Sequence, residues 1–143
     1  MKILSLRCSG DLFSSPSEAS LAHCVSEDLR MGKGIATIFK RKFGGVRELS
    51  SQGEKVGGCA VLKRNQRYVF YLITKSKYWH KPTYDTLRKS LEGLKTHLTS
   101  KGVKHLCIPK IGCGLDKLEW GFVKSIVREV FEDLDLEIDV YHL

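Results

Sequence analysis

Residues 82–116 read "PTYDTLRKSLEGLKTHLTSKGVKHLCIPKIGCGLD". Thr83 stands where an N-cap is wanted, and Leu87, Leu91, Leu94 and Leu98 recur at helical spacing to form one apolar face. Gly102 supplies the residue that ends such a helix most easily. A short apolar strand, "HLCIPK", follows, and then a loop in which Gly112 and Gly114 bracket Cys113 and Asp116 closes the group. A helix, a buried strand and a glycine-rich turn in that order define an α/β chain.

The same alternation extends outward. "KILSLRC" (2–8) and "SLAHCV" (20–25) read as strands, the second almost continuously apolar, as a strand covered on both faces must be. "GIATIFKRKF" (34–43) carries a helical stripe of Ile35, Ile38, Phe39 and Phe43. "CAVLKR" and "RYVFYLIT" flank Asn65-Gln66 and form a hairpin. A second amphipathic helix with Phe122, Ile126, Val127, Val130 and Phe131 on its buried side leads to a last strand, "LEIDVYH". The pattern predicts one domain over residues 1–143: a three-layer α/β/α fold with a mixed central sheet.

Composition narrows the function. At 143 residues, with 42% hydrophobic and 28% charged, the chain can build a substantial core. No run of about 18 apolar residues occurs, so no membrane helix is expected, and the apolar patch before Arg7 is too short for a signal peptide. The five cysteines lack C-x-x-C or zinc-finger spacing, so reduced thiols are expected, with no metal and no cofactor. The formal charge of +8 points to an anionic partner. Basic residues gather in "FKRKFGG" (39–45) and in "TKSKYWHK" (74–81), the latter interleaved with Tyr78 and Trp79. Charge alone does not separate DNA, RNA, nucleotide and acidic protein.

In open α/β sheets ligands bind beyond the carboxyl ends of the strands. Three loops fall there: "SGDL" (9–12), "RMGKGIA" (30–36) and "IPKIGCGLD" (108–116). Their glycines allow backbone N–H groups close to an anion, and a helix N-terminus immediately behind adds its positive end. Asp11 offers an acceptor for a base or sugar. Three such loops in one basic domain point to a nucleotide-like ligand.

"GDLF", "LAHCVSEDLRMGKGIATIFKRKFGG", "FYLITK", "HKPTYDTL" and "IPKIGCGLD" resemble, in order and over essentially the whole chain, the macrodomain family. Within it they are similar to the terminal ADP-ribose protein glycohydrolases that also deacylate O-acyl-ADP-ribose. The resemblance implies an α/β/α sandwich that binds ADP-ribose and reverses ADP-ribosylation of acidic side chains, chiefly in the nucleus, including nucleoplasm and nucleolus, and also in the cytoplasm. By that resemblance Asp11 and Leu12 meet the adenine side, and Ser26, Met31, Gly34 and Ile35 belong to the first phosphate loop. Lys110, Ile111, Gly112, Cys113, Gly114 and Leu115 form the second loop, Thr74 lies beside the ligand, and Leu143 lines the site. Lys75 is the implied nucleophile and Asp116 the implied acid/base. "HCVSEDLRMGKG" departs from the asparagine-rich and triple-glycine motifs of many macrodomain hydrolases, which favours the lysine–aspartate chemistry.

That chemistry is coherent from the residues. A lysine amine attacks only when neutral, and a carboxylate beside it can take the proton. An ADP-ribosyl ester can open its distal ribose to an aldehyde at C1″, which an amine attacks to form an imine. Cys113 is the rival nucleophile, with no histidine at diagnostic spacing. The expected partners are ADP-ribose and ADP-ribosylated proteins, with poly(ADP-ribose) or nucleic acid on the basic surface; the chain is expected to be a monomer and to avoid membranes. The alternatives are a non-catalytic ADP-ribose or poly(ADP-ribose) reader, which needs neither Lys75 nor Asp116, and a hydrolase of ADP-ribosylated nucleic acid.

Overall fold

The structure, a computed structural model, describes residues 2–3 and 11–141. Its strands are β1 (Lys2–Ile3), β2 (Ser20–Ser26), β3 (Cys59–Arg64), β4 (Arg67–Lys75), β5 (His105–Pro109) and β6 (Glu137–Tyr141). They form one sheet in the order β1-β6-β5-β2-β4-β3. Among the described residues only the β3–β4 hairpin is antiparallel, so the sheet is mixed, as the alternation predicts. Of the predicted strand 2–8, Lys2–Ile3 falls within the described residues and the remainder lies outside them.

Four helices cover the two faces: α1 (Ile35–Phe43), α2 (Val46–Ser51), α3 (Tyr84–Lys101) and α4 (Trp120–Phe131). Leu87, Leu91, Leu94 and Leu98 of α3 join Val123, Ile126, Val127 and Phe131 of α4 in one core. Each such leucine stabilises the fold by about 2 kcal/mol relative to exposure. On the opposite face Phe39, Leu49 and Leu12 pack in a second core against Leu21, Val69 and Tyr71. Neighbouring residues of one strand therefore serve different layers, as the period of two requires: Phe70 enters the first core and Tyr71 the second.

The helix α3 starts where its sequence predicts. The Thr83 hydroxyl accepts from the Thr86 N–H at 3.0 Å, and the Thr83 N–H donates to the Thr86 hydroxyl at 3.1 Å. Thr86 also donates to the Thr74 carbonyl at 2.7 Å, and Ser90 donates to the Ile73 carbonyl at 2.8 Å. These two bonds fasten the first turns of α3 to the end of β4, where Lys75 emerges.

Two expectations are corrected, and one element is added. Phe122 is 60% exposed, because the buried stripe of α4 runs through Val123, Ile126, Val127 and Val130 and leaves Phe122 to one side. A helix does not begin immediately behind the 108–116 loop: Lys117–Glu119 intervene before α4 starts at Trp120. The short helix α2 was not foreseen, since six residues with only Leu49 buried carry too little periodicity.

Candidate active site

The strand β2 pairs with β4 along its length but with β5 only at Ser20 and Leu21. Beyond that point β2 and β5 part company, and the helices that follow them, α1 and α4, pack on opposite faces. This is the switch point at which open α/β sheets form a crevice. A cleft of about 950 Å³ occupies it, lined by the ends of β2, β4 and β5 and by the loops 30–36 and 110–117. The two loops touch across it, for a Cβ added to Gly34 would lie 3.3 Å from Leu115 Cδ1.

The 30–36 loop is held in a costly conformation. Leu29 and Met31 have φ of 54° and 45°, a region that costs a side-chain-bearing residue about 1 kcal/mol or more. Both side chains are buried in the second core, which offsets that cost. Asp28 fixes the same turn, accepting from the Ser26 hydroxyl, from the Arg30 N–H at 3.2 Å and from the Tyr78 N–H at 3.0 Å. Burial works to raise the pKa of Asp28, but these donors and the nearby Lys77 hold its carboxyl below the usual range. As a result Gly34, Ile35 and Ala36 border the cleft with N–H groups that meet no acceptor among the described residues. The N-terminus of α1 is thus open to an anion.

Across the cleft, Cys113 donates its N–H to the Lys110 carbonyl at 3.1 Å and Leu118 donates to Gly112 at 2.7 Å. The N–H groups of Gly114, Leu115 and Asp116 meet no acceptor among the described residues. Residues with two sets of N–H groups that meet no acceptor among the described residues therefore border the same cleft, an arrangement suited to a diphosphate.

At the end of β4, Lys75 Nζ stands 2.7 Å from Asp116 Oδ1, with each side chain 15% exposed. An ion pair so screened from water and bordering the cleft brings a latent amine nucleophile and a proton acceptor into direct contact. The rival thiol is differently placed. Burial pushes Cys113 up to about 11, and its Sγ donates to the Ile111 carbonyl at 3.3 Å. Burial, with Asp116 and Cys113 adding to it, pushes the neighbouring Cys24 thiol to about 12. Both therefore stay protonated near neutral pH, which suits a packing role.

Of the residues named from sequence, Ser26, Met31, Gly34, Ile35, Lys75, Lys110, Ile111, Gly112, Cys113, Gly114, Leu115 and Asp116 all border the cleft. Asp11 does not, and its Oδ1 caps the 3₁₀ turn Leu12–Ser14 by accepting from the Phe13 N–H at 3.0 Å. Leu12 has no exposed surface, so its side chain packs the core. Thr74 is buried beneath the site, and Leu143 lies outside the described residues.

His23 also borders the cleft, as do Arg30 of the 30–36 loop and Trp79 and Lys81 of the basic 74–81 stretch, to none of which the sequence assigned a place in the site. His23 has no exposed surface and lies stacked on Phe39, with ring centroids 3.7 Å apart. Burial lowers its pKa to about 3, so the ring is neutral. Its place on a strand that reads as continuously apolar was the available signal.

The fold and the cleft are those of a macrodomain, and the chain belongs to the macro domain family, whose model matches residues 22–127. It is 58% identical over 134 residues to the ADP-ribose glycohydrolase OARD1 of Homo sapiens, covering 94% of this chain and 88% of that one. It is 30% identical over 142 residues to a DNA ADP-ribosyl glycohydrolase of Thermus aquaticus, a longer protein of which the match covers 39%. Among solved structures, the macrodomain of Thermus aquaticus DarG superposes with a TM-score of 0.83 at 29% identity, covering 96% of this chain and 97% of that one.

Proposed function

We propose that this protein is an ADP-ribosyl hydrolase that frees acidic side chains of modified proteins from ADP-ribose and deacylates O-acyl-ADP-ribose. The observation that carries the reading is the 2.7 Å contact between Lys75 and Asp116 at the edge of a cleft bordered by residues whose N–H groups meet no acceptor among the described residues. The naming of the 58%-identical relatives as ADP-ribose glycohydrolases supports it.

The diphosphate lies between the N-terminus of α1 and the 110–116 loop, which places the distal ribose toward Lys75. Asp116 takes a proton from the ammonium of Lys75, and the amine attacks C1″. The bond from C1″ to the ester oxygen breaks, and the carboxylate leaves with the bonding pair. The ring bond from C1″ to O4″ then breaks, O4″ takes the proton that Nζ gives up, and C1″ becomes doubly bonded to Nζ as an imine. Water adds to C1″, the C1″–Nζ bond breaks as Asp116 returns its proton to the departing amine, and the remaining proton of the water passes to solvent as the ribose recloses. Nucleus and nucleolus are the proposed places of action, to be checked by imaging the expressed chain.

A second reading, hydrolysis of ADP-ribosylated nucleic acid by the same pair, is favoured by the basic residues around the cleft and by the name of the Thermus aquaticus relative. Incubation with glutamate-linked ADP-ribosyl protein, with O-acetyl-ADP-ribose and with an ADP-ribosylated oligonucleotide tests both. Turnover of none of the three would overturn the hydrolase reading and leave a reader of ADP-ribose.

A further inference from the structure

A histidine, a cysteine and a carboxylate meet at one place among the described residues. His105 Nε2, Cys107 Sγ and one carboxylate oxygen of Asp139 lie within 4.8 Å of one another. The sheet itself assembles them. His105 and Cys107 are two apart on β5, so their side chains leave the same face. Asp139 of β6 is the register partner of Cys107, and strand neighbours in register share a face as well. None of the three borders the cleft, which β5 reaches at its other end, Pro109. The expectation of no metal rests on cysteine spacing along the chain, whereas strand pairing brings these donors together across 34 positions.

Geometry separates two uses of such a trio. A catalytic relay needs the nucleophile on one ring nitrogen and the carboxylate on the other. Here both approach the same nitrogen: His105 Nε2 lies 3.8 Å from Cys107 Sγ and 2.9 Å from Asp139 Oδ2. Three donor atoms gathered around one point suit a shared ion instead. Tetrahedral zinc, with bonds of about 2.3 Å to sulfur and about 2.0–2.2 Å to nitrogen and oxygen, separates its donors by roughly 3.4–3.6 Å. The two observed spacings bracket that range, and the His105 side chain, 27% exposed, has room to shift by the difference.

Charge and surroundings agree. A thiolate and a carboxylate together cancel a divalent cation, so the buried face gains no net charge. Ser15, a hydrogen-bond partner of the Cys107 side chain, accepts from Arg67 Nη2 at 3.2 Å. Arg67 is fixed in turn by donating to the Ala19 and Pro16 carbonyls at 2.9 and 2.7 Å. Outer partners of this kind orient a ligating side chain.

We propose that His105, Cys107 and Asp139 form a zinc site that clamps β5 to β6 away from the cleft, with water completing the tetrahedron on the exposed side of His105. As the zinc–sulfur bond forms, Cys107 passes its proton to solvent, and His105 binds as the neutral ring with its proton on Nδ1. A donor set of thiolate, imidazole and carboxylate favours zinc over calcium or magnesium, which prefer oxygen alone. The site is independent of the hydrolase reading.

The full chain, kept reduced and stripped with chelator, is titrated with zinc sulfate by calorimetry. A parallel titration with cobalt chloride reads the ligands, through the cobalt–thiolate charge-transfer band and the intense visible bands of four-coordinate cobalt. One equivalent of zinc should bind per chain, and cobalt should give both signals. His105→Ala, at the exposed edge of the trio, should weaken zinc binding by more than about 100-fold, beyond the roughly 10–100-fold scale of a lost outer partner. Zinc should raise the melting temperature of the wild type and not that of His105→Ala. Cys107→Ser should lose the charge-transfer band.

A folded wild type that binds no zinc would overturn the proposal and leave a hydrogen-bonded trio. Equal zinc affinity in His105→Ala would put the ion on other residues and overturn it too, as would cobalt bound without the charge-transfer band. Cys107 is buried, so where Cys107→Ser does not fold, the wild-type cobalt spectrum and the His105→Ala comparison decide by themselves.

Discussion

Lys75 and Asp116 are 41 positions apart in the chain, and their charged atoms lie 2.7 Å apart. The strand β4 delivers the lysine, and the loop after β5 delivers the aspartate, from either side of β2. Neither residue is special in type. Contact, screening from water and a place beside the cleft make the pair a candidate for chemistry.

If the amine attacks and the carboxylate moves protons, the two variants fail differently. Lys75→Ala should bind ADP-ribose with little loss yet abolish ester cleavage. Asp116→Ala should slow turnover by about 10²–10⁴-fold and let an adduct on Lys75 accumulate, because release lacks its proton donor. Intact-mass spectrometry should then find one ADP-ribosyl increment that the double variant lacks. Wild-type hydrolysis by Lys75→Ala would refute the covalent scheme and leave Asp116 activating water directly.

Gly114 separates the needs of the ligand from those of the fold. A Cβ there would meet no protein atom within 4 Å, and its backbone lies outside the left-handed region, so the fold does not require glycine. Gly114→Glu places a carboxylate where phosphate is expected and should collapse ADP-ribose affinity while the melting temperature holds. Calorimetry showing unchanged affinity would move the pocket elsewhere. Gly34, with φ of 60° and Leu115 at 3.3 Å, should by contrast lose stability as well as binding when changed to Ala.

Asp28 ties two loops together through its bonds to the Arg30 and Tyr78 N–H groups. Asp28→Ala should weaken ADP-ribose binding by about tenfold, since charge-assisted bonds that pre-form the 30–36 loop are lost. Its pKa is depressed, so this support is complete above the ordinary carboxylate value near 3.8 and is lost only as pH falls below it. Affinity unchanged in the variant would show that the loop holds its shape without the tie.

His23 gives the fold an acid sensitivity. The native ring stays neutral down to about pH 3, whereas the unfolded chain takes up its proton near 6.5. Between those values the unfolded state binds more protons, so this contribution to stability is whole above pH 6.5 and declines as pH falls. His23→Phe keeps an aromatic ring beside Phe39 and removes the effect. Its stability relative to wild type should rise by about 2 kcal/mol between pH 7 and pH 5 in urea unfolding. Parallel pH curves for the two proteins would show that the buried ring does not govern acid stability.

Local chemistry in the chain was enough for much of the fold. The start of α3 at Thr83 and its end at Gly102 depend on groups within a few residues of each end, and so does the hairpin turning at Asn65-Gln66. Motif resemblance extended this to most of the cleft, because short stretches such as 108–116 carry their own backbone requirements. Other features needed the assembled sheet. The contact of Lys75 with Asp116 depends on strand order, which no local pattern encodes. Asp11 caps its own turn, a contact the sequence reading did not foresee, and Phe122 falls beside the stripe that α4 buries. His23 is neutral only because Phe39 and Tyr71 close over it, and Trp79 borders the cleft only because Asp28 and Lys81 hold its segment there. Propensity and capping act between near neighbours, whereas proximity, desolvation and exposure are created when distant segments pack.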